Sequence, residues 1–331
     1  MIRSERTRRT GPAALRSLAV AAAYYASGGL GLIPGVAVHG AAVTPLWPPT
    51  GIALSALILL GPGVWPGIAL GSLCVVSTLS DSVSVLTCVV VAGNTLAPVC
   101  SYLMLRRAGF RRELDRLRDG FVLVFLGALV GMTISATVGT CMLVVDDDLP
   151  LRGFWPVWTA WWSGDAMGVL VVTPLLLTVR AARMPRADDR WGEACLLGVA
   201  AVAVSLVATR TSLEMIYLVF PLLVWAALRF QLAGSAPCAF LVSVMAAVAG
   251  VQGVGPFVGH SVLHVMVNLA VFNGCVALTA LLLAAVVTEQ SNIRRRIEQA
   301  CEELADVVER LAPGRENAAW PSRPEDEHGS L

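Results

Sequence analysis

Residues 46–73, LWPPTGIALSALILLGPGVWPGIALGSL, are apolar enough to enter a membrane, yet four prolines and five glycines interrupt them. Lipid offers no hydrogen-bond partners. The backbone groups freed by a broken helix therefore persist at membrane depth only when buried in protein or lining a polar cavity. Transporters build sites from interrupted helices in this way, and a sensor can hold its ligand by the same device. The alternative is that glycine and proline serve close helix packing alone.

The rest of the chain places this stretch in a polytopic membrane protein. Over 331 residues it is 56% apolar and 14% charged, with mean hydropathy +0.72, more apolar than one soluble core requires. Apolar segments fall near 13–33, 47–60, 64–80, 83–105, 120–145, 155–180, 194–209, 214–230, 235–252 and 261–287. The expected fold is an all-α bundle of about eight to ten transmembrane helices, some short or broken. Residues 13–287 form the membrane domain, after a basic segment at 1–12. The second and third segments either cross fully or form a hairpin around Gly61-Pro62-Gly63, and the parity of the remaining loops is the same in both cases.

All basic residues are arginines, and they alternate by loop. RSERTRR, RRAGFRRELDRLRD, RAARMPRADDR and RRRIEQ fall on one side, while the other side holds only Arg152 and Arg210 together with Asp146, Asp147 and Asp148. The positive-inside rule then predicts both termini in the cytoplasm, in a multi-pass protein of a bacterial inner membrane. The first apolar run is longer than a signal-peptide core and reads as a retained anchor. The net charge of +1 hides this asymmetry and points to no nucleic acid; the arginines suit anionic lipid headgroups. Eight cysteines stand singly, none at metal-ligand spacing, and read as small buried apolar residues.

Two regions look alike. LWPPTGIALSALILLGPG parallels LVFPLLVWAALRFQLAG, and VAGNTLAPVCSYLMLRR parallels VFNGCVALTALLLAAVV. Either the first four segments recur as the last four, in parallel orientation, or short apolar segments match by chance. Beyond 287, Ile293, Ile297, Ala300, Leu304, Val307 and Leu311 recur at alternating spacings of four and three. Residues 288–312 therefore read as a heptad helix, which either pairs as a homodimer through 290–311 or, as an amphipathic helix, lies on the membrane or packs on the arginine-rich loops. Residues 313–331 read as a disordered tail.

Asp165 is the sharpest chemical feature. It lies about 10 residues, roughly 15 Å, inside its helix, where an ionised side chain is unfavourable by about 2.5–3.5 kcal/mol. It needs a polar partner such as Asn94, Asn273 or an indole N–H, or a bound cation. Either it belongs to a ligand, ion or proton site, or it makes a structural interhelical bond. Trp47, Trp65, Trp155, Trp158, Trp161 and Trp162 fall near expected outer ends, where interfacial anchoring accounts for most; Trp161 and Trp162 sit deeper. His260 and His264 stand one turn apart, with His39 and Asp81 in outer loops, a spacing that suits a metal pair only weakly because the HExxH glutamate is missing. No P-loop, dinucleotide fingerprint or GxSxG elbow occurs, so no catalytic residues and no cofactor are assigned.

The order LWPPTGIALSALILLGPGVWPGIALG, GNTLAPVCSYLMLRR, FWPVWTAWWSGDAMGVLVVTPLLL and FPLLVWAALRFQL resembles the bacterial membrane-associated sensor domain of the first type, over about residues 13–290. The resemblance implies a polytopic input module, found at the start of histidine kinases, diguanylate cyclases and cyclic-dinucleotide phosphodiesterases. Its motifs fall on Trp47, Pro48, Pro49, Thr50 and Gly51, on Gly93 and Asn94, and on Trp161, Trp162, Gly164 and Asp165. After them this sequence has only the heptad helix and tail. The expectation is a sensor without its own catalytic output, signalling to a cytoplasmic enzyme in trans. A secondary transporter with Asp165 as the coupling residue is the alternative.

Overall fold

The computed structural model describes residues 2–33, 36–38, 41–79, 84–181, 191–211 and 215–311. The helices are α1 (Ile2–Leu32), α2 (Pro48–Leu60), α3 (Trp65–Leu79), α4 (Val85–Arg107), α5 (Leu117–Val122), α6 (Thr133–Val145), α7 (Phe154–Ala181), α8 (Trp191–Arg210), α9 (Val219–Gln252) and α10 (Val262–Leu311). Seven helical stretches among the described residues are long and apolar enough to cross a membrane, and α2, at 13 residues, is a shorter apolar helix. The protein is an all-α polytopic membrane bundle. A small addition escaped the sequence: strands β1 (Val36–Val38) and β2 (Ala41–Val43) pair antiparallel between α1 and α2. His39, Asp81 and the tail from 312 lie outside the described residues.

Local chemistry explains the breaks. Pro48 and Pro49 open α2, where the first turn has no use for their missing N–H groups. Gly61 ends it at φ +88°, a conformation open to glycine, and Pro62 starts the turn into α3. Gln231, at φ +52° and ψ −139°, breaks α9 into arms 219–230 and 232–252. The chain doubles back there, so that a Cβ on Gly234 would stand 3.1 Å from Ala226 O. Between α5 and α6 the residues Leu123–Val130 are π-helical. Two carbonyls of this stretch take bonds from neighbouring helices: Gly127 O from Ser101 Oγ at 2.9 Å, and Leu129 O from Trp162 Nε1 at 2.8 Å.

Close approaches fix helix directions. A Cβ on Gly67 would strike Ser17 O and one on Gly71 would strike Tyr24, so α1 and α3 run parallel, with α2 returning between them. Likewise Arg229 forks onto Glu193, with Nε–Oε1 at 2.5 Å and Nη2–Oε2 at 2.7 Å, tying the end of the first α9 arm to the start of α8. Gly255 packs on Thr209 where α8 and the second arm both end. The up-down-up order of α1, α2 and α3 thus recurs in α8 and the two arms of α9, and α4 and α10 follow them in the chain. Trp65 belongs at the α2–α3 turn, opposite the end of α2 where Trp47 stands, because α2 spans about 20 Å before the chain turns. Cysteine burial also differs from expectation: only Cys238 is buried and five are exposed. Lipid, itself apolar, solvates thiols on the bundle surface.

One unit comprises Met1–Thr288 and the other Glu289–Leu331. In the first, α7 is the central element: every residue from Ser163 to Pro174 is buried. Its Ala166, Met167 and Leu170 share a core with Ala277 and Leu281 of α10. A separate core joins α8, α9 and α10. In the second unit, α10 residues Ile293, Ile297, Leu304 and Val307 are exposed.

Candidate functional site

The entry to α2 is fastened to the backbone of α7. Trp47 N donates to Gly164 O at 3.0 Å, and Thr50 Oγ1 lies 2.8 Å from Trp47 O and 3.0 Å from Asp165 O. A Cβ on Gly51 would enter Gly168 O, and one on Gly168 would enter Trp47 O. The Trp-Pro-Pro-Thr-Gly element and the Gly-Asp-Ala-Met-Gly run therefore meet backbone to backbone, an approach open only to glycine. This contact places Trp47 and Asp165 on the lining of one space.

That space is a cavity of about 400 Å³, within the range of small-molecule sites. Tyr24, Trp47, Ser72, Asn94, Trp161 and Asp165 line its interior. Leu32, Leu79, Leu86, Asp146 and Asp148 line the end where α1, α3 and α6 finish and α4 starts. Asp165 is 1% exposed and Asn94 8%. Asp165 Oδ2 lies 2.7 Å from Ser135 Oγ; Ser135 Oγ lies 2.9 Å from Asn94 Oδ1; Asn94 Nδ2 lies 3.3 Å from Ser72 Oγ. Four side chains from α7, α6, α4 and α3 thus form a continuous chain. Trp161 stands beside the carboxyl. Tyr24 Oη is buried without a hydrogen-bond partner among the described residues, although Ser72 and Trp47 lie close to it.

Proton counting gives this chain two states. Ser135 has one hydroxyl proton and faces two acceptors. With the Asn94 amide directed at Ser72, that proton goes to Asn94 Oδ1, and Asp165 must donate its own to Ser135 as a neutral acid. With the amide reversed, Nδ2 donates to Ser135, Ser135 donates to an ionised Asp165, and Ser72 donates to Oδ1. Both arrangements turn each of the three contacts into a hydrogen bond with the same heavy-atom positions. The protonation state of Asp165 is therefore coupled to dipole orientations on three other helices.

The structure brings together Trp47, Asn94, Trp161 and Asp165, with Pro48, Pro49, Thr50 and Gly51 as their support. Trp162 turns away: it caps the Leu129 carbonyl and stacks on Trp158 with ring centroids 5.8 Å apart. Asn273 is also apart, on the α10 face that carries Leu269, Phe272 and Val276, and both its amide atoms lack partners among the described residues. His260 and His264 stack at 4.7 Å on an exposed surface. No group of three or more potential metal-ligating side chains occurs among the described residues. Sequence reasoning missed Ser135, Ser72 and Tyr24. Their only signal is a hydroxyl in an apolar helix, which membrane proteins use widely as packing glue.

The comparisons with known proteins agree with this architecture. Over 201 residues the chain is 29% identical to the probable diguanylate cyclase DgcE of Escherichia coli (strain K12), covering 57% of this chain and 17% of that protein. The chain thus spans about a sixth of that curated relative's length. No solved structure matches. The MASE1 family model matches residues 16–291, from within α1 into α10, and the chain belongs to the MASE1 family of membrane-associated sensor domains.

Proposed function

We propose that the cavity between α1, α3, α4, α6 and α7 is where the stimulus acts, and that α10 carries the response. The observation behind this reading is the position of α7. One face carries Asp165 into the cavity, while Ala166, Met167 and Leu170 pack in the core shared with α10. Met167 Cε lies 3.9 Å from the position a Cβ on Gly274 would take. A ligand with different affinities for the two proton arrangements shifts the equilibrium between them, and a buried helix can respond only by moving its neighbours.

α10 continues as one helix to Leu311, with its apolar seam exposed. Paired as a parallel coiled coil between two copies, this segment presents the response to a cytoplasmic enzyme, and the similarity to a probable diguanylate cyclase favours an enzyme of that kind. On this reading the chain is an input element rather than a catalyst, in a bacterial inner membrane, with the arginine-rich loops and both termini cytoplasmic. The backbone break at Gln231 favours one other reading, a secondary transporter that uses Asp165 for coupling.

Two measurements test the proposal. Hydrogen exchange of the reconstituted chain should differ between wild type and Asp165→Asn across 262–311; identical exchange there removes Asp165 from the signal path. Affinity purification with and without residues 288–331 should recover a signalling enzyme only with the segment present. Substrate flux into proteoliposomes would instead establish the transporter.

A further inference from the structure

The cavity's lining has a definite sign. Its charged side chains are Asp146, Asp148 and Asp165, and no arginine or histidine lines it among the described residues. The two aspartates at the open end are exposed, whereas Asp165 is buried and hydrogen-bonded to Ser135. Acidic groups at the entrance of a low-dielectric cleft raise the local concentration of cations. The rings of Tyr24, Trp47 and Trp161 also line the space, and aromatic faces attract a desolvated cation. A calcium or magnesium ion wants six or more oxygen ligands, no group of three or more metal-ligating side chains occurs among the described residues, and a wall of indole and phenol rings suits a carbon-clad cation instead. The buried Tyr24 Oη, close to Ser72 and Trp47, adds a polar atom beside this space.

Resting on the cavity as the stimulus site, we propose that its ligand is a small organic cation, an amine or quaternary ammonium group, held by ionised Asp165 and enclosed by Trp47, Trp161 and Tyr24. Such a ligand binds only the arrangement in which Ser135 donates to a charged carboxylate. Binding therefore reverses the Asn94 amide and the Ser72 hydroxyl, and the charge of the ligand becomes the orientation of groups on α4 and α3. A neutral molecule of equal shape selects neither state.

The test uses the full chain in nanodiscs of phosphatidylglycerol, a lipid without an amine. Radiolabelled choline is competed with unlabelled choline, with its uncharged carbon isostere 3,3-dimethylbutanol and with the anion 3,3-dimethylbutanoate. Choline should compete at concentrations at least about ten-fold below the alcohol, the ratio expected for a desolvated cation on aromatic faces. Asp165→Asn should remove that preference. Trp161→Leu should weaken choline binding in protein whose thermal midpoint shows a folded bundle.

Equal competition by the alcohol, tighter competition by the anion, or no binding of choline overturns the proposal. If the alcohol binds and Trp161→Leu abolishes it, the cavity remains the stimulus site and only the charge assignment fails. If no probe binds and hydrogen exchange in α10 ignores Asp165→Asn, both readings fail. Adding phosphatidylethanolamine separates two sources of the same chemistry, and either result upholds the proposal: displacement of choline identifies a lipid headgroup, and its absence a soluble amine.

Discussion

Removing the hydroxyl of Ser135 should uncouple α6 from both α4 and α7, and a double-mutant cycle with Asn94 can measure the loss. Ser135→Ala deletes two buried contacts, at 2.7 Å to Asp165 and 2.9 Å to Asn94. At about 1 kcal/mol per net hydrogen bond, the substitution should destabilise the bundle by about 2 kcal/mol. Asn94→Ala deletes the same 2.9 Å contact together with the 3.3 Å contact to Ser72, again about 2 kcal/mol. The double variant loses the shared bond once, so its destabilisation should fall short of the sum by about 1 kcal/mol. Thr137 supplies the control, because its hydroxyl accepts from Trp158 Nε1 and lies outside the chain. Thr137→Ala should combine additively with Asn94→Ala. The assay is reversible unfolding in mixed micelles, followed by far-ultraviolet circular dichroism. A coupling between Ser135 and Asn94 no larger than that of the control, within about 0.5 kcal/mol, would refute the continuous chain.

Other outcomes follow from the packing. Gly168→Leu should destabilise the bundle by about 1–3 kcal/mol or more by forcing α2 off α7, whereas Gly63→Ala, with nothing within 4 Å of its Cβ position, should leave the unfolding midpoint nearly unchanged. Ile297→Asp combined with Leu304→Asp should abolish self-association in analytical ultracentrifugation while retaining the bundle's thermal midpoint; a persisting dimer would exclude the heptad seam. Arg229→Ala should leave the unfolding midpoint nearly unchanged, since the ion pair is partly solvated, with side chains 49% and 24% exposed.

The ten apolar segments were legible because each helix must bury or present to lipid a whole run of side chains, and the turns at Gly61 and near Gln231 carry breakers that interrupt those runs. Asp165 was legible for a related reason: a carboxyl within an apolar helix has no bland explanation without a partner. The identity of that partner was not legible. Asn94 and Asn273 occupy matching places in their helices, yet Asn94 faces Ser135 while Asn273 sits on a face with Leu269 and Val276. Which faces meet is decided by pairs of helices, and one sequence reports each helix separately. Ser135 was hidden by its ordinariness, and the fastening role of Thr50 by the fact that it works through backbone carbonyls, which every residue has.

The enclosure of α7 bears on how the protein is made. A helix buried from Ser163 to Pro174 has almost no surface of its own to offer lipid there, so on leaving the insertion machinery it must find α2, the π-helical stretch and α6 already waiting. Its remaining face stays uncovered until α9 and α10 have been synthesised. Closure of the core that α7 shares with α10 is therefore a late event in biogenesis, and a chain stopped after residue 181 should present an open, chaperone-dependent seam there, although every residue lining the cavity has already been made.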